Sequence, residues 1–381
     1  MVQVNTIYKN KYVLKYSTNS IEYIDICAAQ KNTFMKSTIL LLAVMFCITV
    51  GVKAQSGTQV ETYNVKVSQK IELRGLTHIR YQLFEDSTKF DAFDLRRARL
   101  DFRGDIAPKI GYRLQTELAN TPKILDATFV YKPYEWLNVN VGQSKYPICY
   151  DNLTSPWNLL TVSRTQIDNS LSFRESDLYG NQQGRDIGLW LSGKYSIGTE
   201  ESKRPLLDYT LGVYNGSGIN VADNNQDKDI SAALGISPVK DLWLYGRYLS
   251  GVGQTAIHPG VDATRSRFGG NISYKYKNFL IEGEYLAASD KSDSLGLLER
   301  NGYYVTLGYT PIKDKLQVVV RLDNYDPNTN VDDNITNKYI LGASYFFNKY
   351  TRIQLEYDLV LEEAETQKEN NLFAIQFQAA F

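Results

Sequence analysis

The sequence predicts an all-β protein, a transmembrane antiparallel β-barrel of about sixteen strands. Three observations predict it. From residue 75 onward apolar residues recur with a period of two over windows of eight to eleven residues, the spacing of a strand with one apolar face. The connections between these windows alternate between tight turns and long polar loops, as in barrels of the bacterial outer membrane. Aromatic residues, with 28 Tyr and 15 Phe in 381 residues, gather near the ends of the windows, where girdles meet the two membrane interfaces.

The alternation is clearest in three windows. Ile110, Tyr112, Leu114, Thr116 and Leu118 alternate with Gly111, Arg113, Gln115 and Glu117. Phe268, Gly270, Ile272 and Tyr274 alternate with Arg267, Gly269, Asn271 and Ser273, and Ile353, Leu355 and Tyr357 with Arg352, Gln354, Glu356 and Asp358. A soluble sandwich turns the charged face outward to water, whereas a membrane barrel turns the apolar face to lipid and the charged face to a wet lumen. Sixteen such segments start near residues 75, 93, 109, 124, 137, 184, 206, 230, 241, 265, 279, 301, 315, 338, 351 and 371. An even number places both ends of the barrel in the periplasm.

Tight turns are read at 107–109, 133–135, 238–241, 311–314 and 348–350, and polar loops near 146–183, 215–229, 250–264, 287–301, 324–337 and 360–371. Tyr131, Tyr309 and the run Tyr345-Phe346-Phe347 supply girdle residues. The chain closes on Phe373, Ile375, Phe377, Ala379 and Phe381 in alternation, which resembles the signal read by the barrel-assembly machinery, with Phe381 as its terminal residue.

One apolar run stands apart, Ile39 to Val52, preceded by Met35-Lys36 and followed by Lys53-Ala54-Gln55. A basic start, an apolar core of that length and a small residue before a polar one make a cleavable secretory signal over residues 35–54. The run is short for a membrane span. Residues 1–34 are then expected to be a mis-assigned upstream extension, 55–74 a periplasmic lead-in and 75–381 the barrel domain. Without residues 1–54 the chain keeps 36 basic and 40 acidic residues of the original 42 and 42, a net charge of about −4, and a single cysteine, Cys149. One cysteine excludes an internal disulfide and a Cys-cluster metal site. No cofactor is implied. Charges of both signs are mixed along the chain, which argues against nucleic acid as a partner, and 43% hydrophobic residues argue against disorder.

Two stretches carry function. In Phe93 to Asp105, residues Ala98, Leu100 and Phe102 point to lipid, so Arg97, Arg99, Asp101 and Arg103 line the lumen; Arg113 follows on the next segment's polar face. An arginine facing lipid near the midplane costs about 2–4 kcal/mol, which sets the orientation. Guanidinium groups are always charged and hold oxyanions through paired donors, so a row of them along a wall offers successive weak anion sites. The plainer alternative is that these arginines pair with Asp101 and Asp105 and hold the wall together. The second stretch is the insertion from Tyr146 to about Gln183, which carries Trp157, Arg164, Asp168, Arg174, Glu175 and Asp177. A connection of that length is either functional or disordered, and it folds into the lumen or caps the barrel from outside.

Leu95-Arg96-Arg97-Ala98-Arg99-Leu100, then Leu125-Asp126-Ala127, Val141-Gly142-Gln143-Ser144-Lys145-Tyr146-Pro147 and Asn152-Leu153-Thr154-Ser155 together resemble the phosphate-selective porin O and P family. The resemblance implies a sixteen-stranded outer-membrane barrel, a homotrimer set in outer-membrane lipid, with an inward-folded loop after strand five and a path for small anions such as phosphate. It places Arg96, Arg97 and Arg99 at the constriction, Asp126 as an acid beside them and Ser155 in the inward loop. Arg164, Arg265 and Arg267 would belong to its arginine ladder. The chain departs from the family pattern in having only Arg265 and Arg267 in the fifth long loop, and Glu356, Asp358, Glu362 and Glu363 on and after the penultimate strand, where phosphate-specific members supply lysine.

The reading is therefore a diffusion porin with mild anion, and by resemblance phosphate, preference. A general porin without selectivity and a soluble all-β binding protein of the periplasm are the alternatives. No catalytic role is expected: the two histidines, His78 on the lumen face of the first segment and His258 in a Gly-flanked loop, are not placed to act as a lipid-facing base.

Overall fold

A computed structural model describes residues 6–9, 12–17, 20–24, 71–199, 201–364 and 368–381, and divides into two units, 1–66 and 67–381. In the first unit β1 (Thr6–Lys9), β2 (Tyr12–Ser17) and β3 (Ser20–Ile24) pair antiparallel in sequence order. Residues 35–54, read as a leader, and residues 55–70 of the lead-in lie outside the described residues.

The second unit is a closed barrel of sixteen antiparallel strands. They are β4 (Glu72–Phe84), β5 (Ala92–Ala107), β6 (Ile110–Glu117), β7 (Lys123–Tyr134), β8 (Leu137–Lys145), β9 (Arg185–Ile197), β10 (Arg204–Tyr214) and β11 (Asp229–Ile236), followed by β12 (Leu242–Gln254), β13 (Asp262–Tyr276), β14 (Phe279–Ser292), β15 (Gly296–Ile312), β16 (Leu316–Asp326), β17 (Thr336–Asn348), β18 (Thr351–Glu362) and β19 (Leu372–Ala380). Each pairs with its sequence neighbours, and β19 pairs with β4 to close the ring. At that seam Phe381 and Gly75 exchange both backbone hydrogen bonds, at 3.0 and 3.1 Å.

Every segment read from the sequence is a strand. The largest departures are β15, which begins at Gly296 rather than near 301, and β4 and β13, which begin at Glu72 and Asp262 rather than near 75 and 265, so that the barrel takes in the end of the expected lead-in. The loops expected at 250–264 and 287–301 therefore shrink to 255–261 and 293–295. There the strands run past the apolar band into water and carry polar side chains such as Ser292 and Glu299. The hydrophobic period is lost although the ladder continues through pairs such as Asp290 with Leu298.

The alternation of burial matches the inverted pattern. Arg267 is 0% exposed and its neighbour Phe268 63%. On β18, Arg352, Gln354, Glu356 and Asp358 are buried while Leu355, Tyr357, Leu359 and Leu361 face outward. An outer surface so rich in exposed Leu, Ile, Val and aromatic residues suits lipid and not water, which removes the soluble reading. Paired aromatics ring the short-turn end: Phe279 stacks on Tyr309 at 4.7 Å and Tyr134 on Trp136 at 5.3 Å.

Two bulges break the period near the lumen. His78 pairs with Arg97 and Ile79 with Leu95, so Arg96 is an extra residue in β5. Likewise Gln115 pairs with Asp126 and Thr116 with Ile124, so Leu125 is extra in β7. A bulge lets two successive residues oppose one on the neighbouring strand. Strict alternation would send Arg96 to lipid; the bulge brings it into the lumen beside Arg97, where its guanidinium meets the inward loop.

Candidate pore and constriction

Between β8 and β9 the chain from Tyr146 to Gly184 folds inward. It contains a short helix (Tyr150–Leu153), a 3-10 turn (Pro156–Asn158) and a second helix (Gln166–Leu171), whose N-cap Thr165 accepts from the Asp168 amide. Two apolar clusters seat the segment on the wall. Tyr146, Ile148, Phe173 and Tyr179 pack with Tyr214 and Leu249. Cys149, Ile167 and Leu171 pack with Leu286, Ala288 and Tyr304.

Charged wall side chains also bond the loop backbone. Glu356 on β18 accepts from the amides of Val162 (2.6 Å) and Ser163 (2.8 Å). Arg352, four residues earlier on the same face, donates to the carbonyls of Trp157 and Leu159, both at 2.9 Å. Glu284 accepts from Tyr150 N (2.5 Å), and Asp323 from Gln166 N (3.0 Å). Along the same wall Arg247 reaches Pro147 O (3.0 Å) and Arg300 reaches Ser170 O (2.9 Å). Alternation places all six in the lumen, but nothing in the sequence says that their partners are amides and carbonyls of a segment more than 60 residues away. Backbone partners leave no side-chain signature.

The residues expected at the constriction fall into two groups. Arg96 Nη1 donates to Val162 O at 2.5 Å, and Arg97 Nη1 lies 3.0 Å from His78 Nδ1. Among the described residues no carboxylate lies within 4 Å of either guanidinium. Arg99 is paired with Glu117 (2.7 Å), Arg103 with Asp101 (2.5 Å), and Arg113 with both Asp101 (2.9 Å) and Asp126 (2.6 Å). Asp126 also holds Arg185 at 2.8 Å. Asp105 pairs with Lys132 rather than with these arginines. Ser155 is exposed on the inner surface of the loop.

Arg164, Arg265 and Arg267 have a different setting from the open ladder that the resemblance implies. Arg164 is buried within the loop, 3.5 Å from Asp151 and 3.3 Å from Asp168, and bonds the carbonyls of Asp151 and Thr154. Burial pushes the Asp151 carboxyl up, but Arg164 outweighs it and holds the group below the usual range. Arg265 pairs with Asp229 at 2.6 Å and Arg267 with Asp290 at 2.9 Å. Both guanidinium groups sit over Phe173 and Tyr179, Arg265 at 4.5 Å from each ring and Arg267 at 4.9 and 5.8 Å. These three arginines fasten the loop.

Below the loop, toward the short-turn end, lies a cavity of about 1300 Å³ whose lining includes Arg99, Arg103, Arg113, Lys145, Ser155 and Asp126. A water-filled chamber narrowed by a folded-in loop with charged walls is a route for small solutes, and its lumen polarity matches its lipid-facing exterior.

Known proteins share this architecture. The anion-selective porin from Comamonas acidovorans superposes with a TM-score of 0.61 at 15% identity, covering 82% of this chain and 100% of that one. OmpT of Vibrio cholerae in its trimer form gives 0.61 at 13% identity, with 82% and 99% covered. OmpF of Salmonella typhi, in complex with daunomycin, gives 0.58 at 12%, with 82% and 98% covered. At such identities the likeness is one of fold. No curated protein sequence matches the chain. The sequence model described as "Phosphate-selective porin O and P" matches residues 72–381, and the chain belongs to that family.

Proposed function

We propose that this outer-membrane porin passes small hydrophilic solutes and ions by diffusion, with a mild preference for anions set by Arg96, Arg97 and Arg99. The observation that carries the proposal is the pair Arg96 and Arg97, the first turned by a bulge into the lumen beside the second, and both without a carboxylate within 4 Å among the described residues. An unpaired guanidinium in a narrow passage with low-dielectric walls raises the local concentration of anions. Arg99, Arg103, Arg113 and Arg185 have acidic partners, which limits the effect. The same pairing favours, as second reading, a general porin with no selectivity. Phosphate remains one small anion among others: Arg164, Arg265 and Arg267 are occupied, and Asp126 and Ser155 stand beside the path without adding positive charge.

A homotrimer is part of the proposal, by likeness to the trimer form described for OmpT. So are export through a signal cleaved after residue 54 and recognition of the last strand, ending at Phe381, by the barrel-assembly machinery.

Reversal potentials in a KCl gradient across planar bilayers test the reading, with phosphate titrated as a blocker. Anion preference that falls in Arg97→Ala is expected. Marked cation preference, unchanged in that variant, overturns it.

A further inference from the structure

We infer that the chamber below the loop binds phosphorylated sugars, anions carried on a hydroxylated ring. This rests on the porin reading above and adds a solute class to it. The two sides of the chamber differ in chemistry. On β4–β8 five basic and three acidic side chains line it, a local excess of positive charge. Arg74, Arg103 and Arg113 are the partly exposed guanidinium groups there, at 51%, 36% and 32%, each with an acidic partner. Lys145 donates to the Asn152 carbonyl, and no carboxylate lies within 4 Å of it among the described residues.

On β9–β12 the lining is aromatic. Trp190 and Tyr214 stack at 6.0 Å with 19° between planes. Tyr245 lies beneath the Arg247 guanidinium at 4.7 Å. Tyr214 is itself buried in the cluster that seats the loop, so the rings left to meet a solute in the polar lumen are the half-buried Trp190 and Tyr245. Beside them stand hydroxyl and carboxylate groups: Ser192, Thr210, and Asp208, whose Oδ2 accepts from Tyr245 OH at 3.2 Å. Rings flanked by such groups suit the C–H face and the hydroxyls of a sugar. In a ring of sixteen strands Tyr245 on β12 stands seven strands from Arg103 on β5, across the lumen, while Trp190 on β9 stands three from Arg113 on β6, so basic groups lie both opposite and beside the rings. Inorganic phosphate has no use for the aromatic side, and a neutral sugar none for the basic side. A solute with both is held at its two ends.

The test uses the full-length protein in planar bilayers, with glucose 6-phosphate, inorganic phosphate and glucose added in turn to both compartments. Glucose 6-phosphate is expected to reduce the current by half at a concentration about tenfold below that of either other probe. Trp190→Ala should shrink that advantage to about twofold or less, and Trp190→Phe should keep most of it. Equal potency of glucose 6-phosphate and inorganic phosphate, or an advantage that survives Trp190→Ala, overturns the inference. Should Trp190→Ala fail to assemble, tryptophan fluorescence of the wild-type protein decides: Trp190 and Trp157 both line the chamber. Their emission should change with glucose 6-phosphate at concentrations where phosphate has no effect; no change overturns the inference. Failure of the anion-preferring reading would appear separately, as cation preference in the KCl reversal potential.

Discussion

Arg97 directs a guanidinium nitrogen at the imidazole of His78, Nη1 to Nδ1 at 3.0 Å, where an ion-paired arginine would have a carboxylate. Because the guanidinium can only donate, Nδ1 is the acceptor and the ring proton sits on Nε2. The charge of Arg97 is thereby held in place without being cancelled. Arg97→Ala should lower the anion-to-cation permeability ratio about two- to threefold. Glu117→Gln, which frees Arg99 from its 2.7 Å partner, should move the ratio the other way. Bilayer reversal potentials report both, and equal ratios in all three proteins would remove these arginines from the selectivity mechanism.

The loop clamp gives a second expectation. Glu356→Ala removes the acceptor of two loop amides, each a charge-assisted bond of about 1.5–3 kcal/mol. The stretch around Val162 should loosen, giving a noisier and larger single-channel current. A quiet channel of wild-type conductance would mean that the apolar clusters hold the loop unaided.

The bulge in β5 makes a third. Arg96 has no partner in the β4–β5 ladder, so deleting it leaves Leu95 opposite Ile79 and Arg97 opposite His78. The deletion variant should still assemble, with the wild-type fraction of heat-modifiable protein on gels. Deleting Ala98 instead would turn Arg97 toward lipid, at roughly 2–4 kcal/mol, and should reduce that fraction.

Acid should strengthen anion preference, late. Burial pushes the Glu175 carboxyl up, but Arg174, with Arg96 and Arg97, outweighs it and holds the group below its ordinary value. Glu175 therefore keeps its negative charge until the pH falls below the usual carboxylate range, and only then does the constriction gain net positive charge. The contribution of Glu175 to the permeability ratio should be flat from neutral pH downward and appear in that acid window. In Glu175→Gln the rise contributed by this residue should be absent.

The barrel was legible because each of its strands solves the same problem, with lipid on one side and water on the other, and a period of two records that solution in the residues themselves. Arg97, Arg99, Asp101 and Arg103 could be assigned to the lumen on that ground alone. The period fails where its cause fails. Near Glu299 both faces meet water, so strand and loop look alike. At Arg96 the register slips, and only a resemblance put that residue at the constriction. Arg265 and Arg267 were legible as luminal arginines but not as fasteners, because Phe173 and Tyr179, the rings beneath them, lie more than 80 residues earlier in the chain. For the same reason Glu356 was visible as a departure from the family pattern before its partners, Val162 and Ser163, gave it a use.

The inward loop leaves the wall at β8 and returns at β9, and its middle is tied to Glu356 and Arg352 on β18. Counted round the ring, β9 and β18 are nine strands apart one way and seven the other, almost a full diameter. The loop is thus a cross-brace as well as a narrowing. A hollow cylinder of paired strands flattens readily under lateral load, and a tie across its width resists that flattening. Loosening the tie should soften the cross-section of the whole barrel, so that bilayer thickness and tension, which act on the outer wall, would reach the passage of ions within.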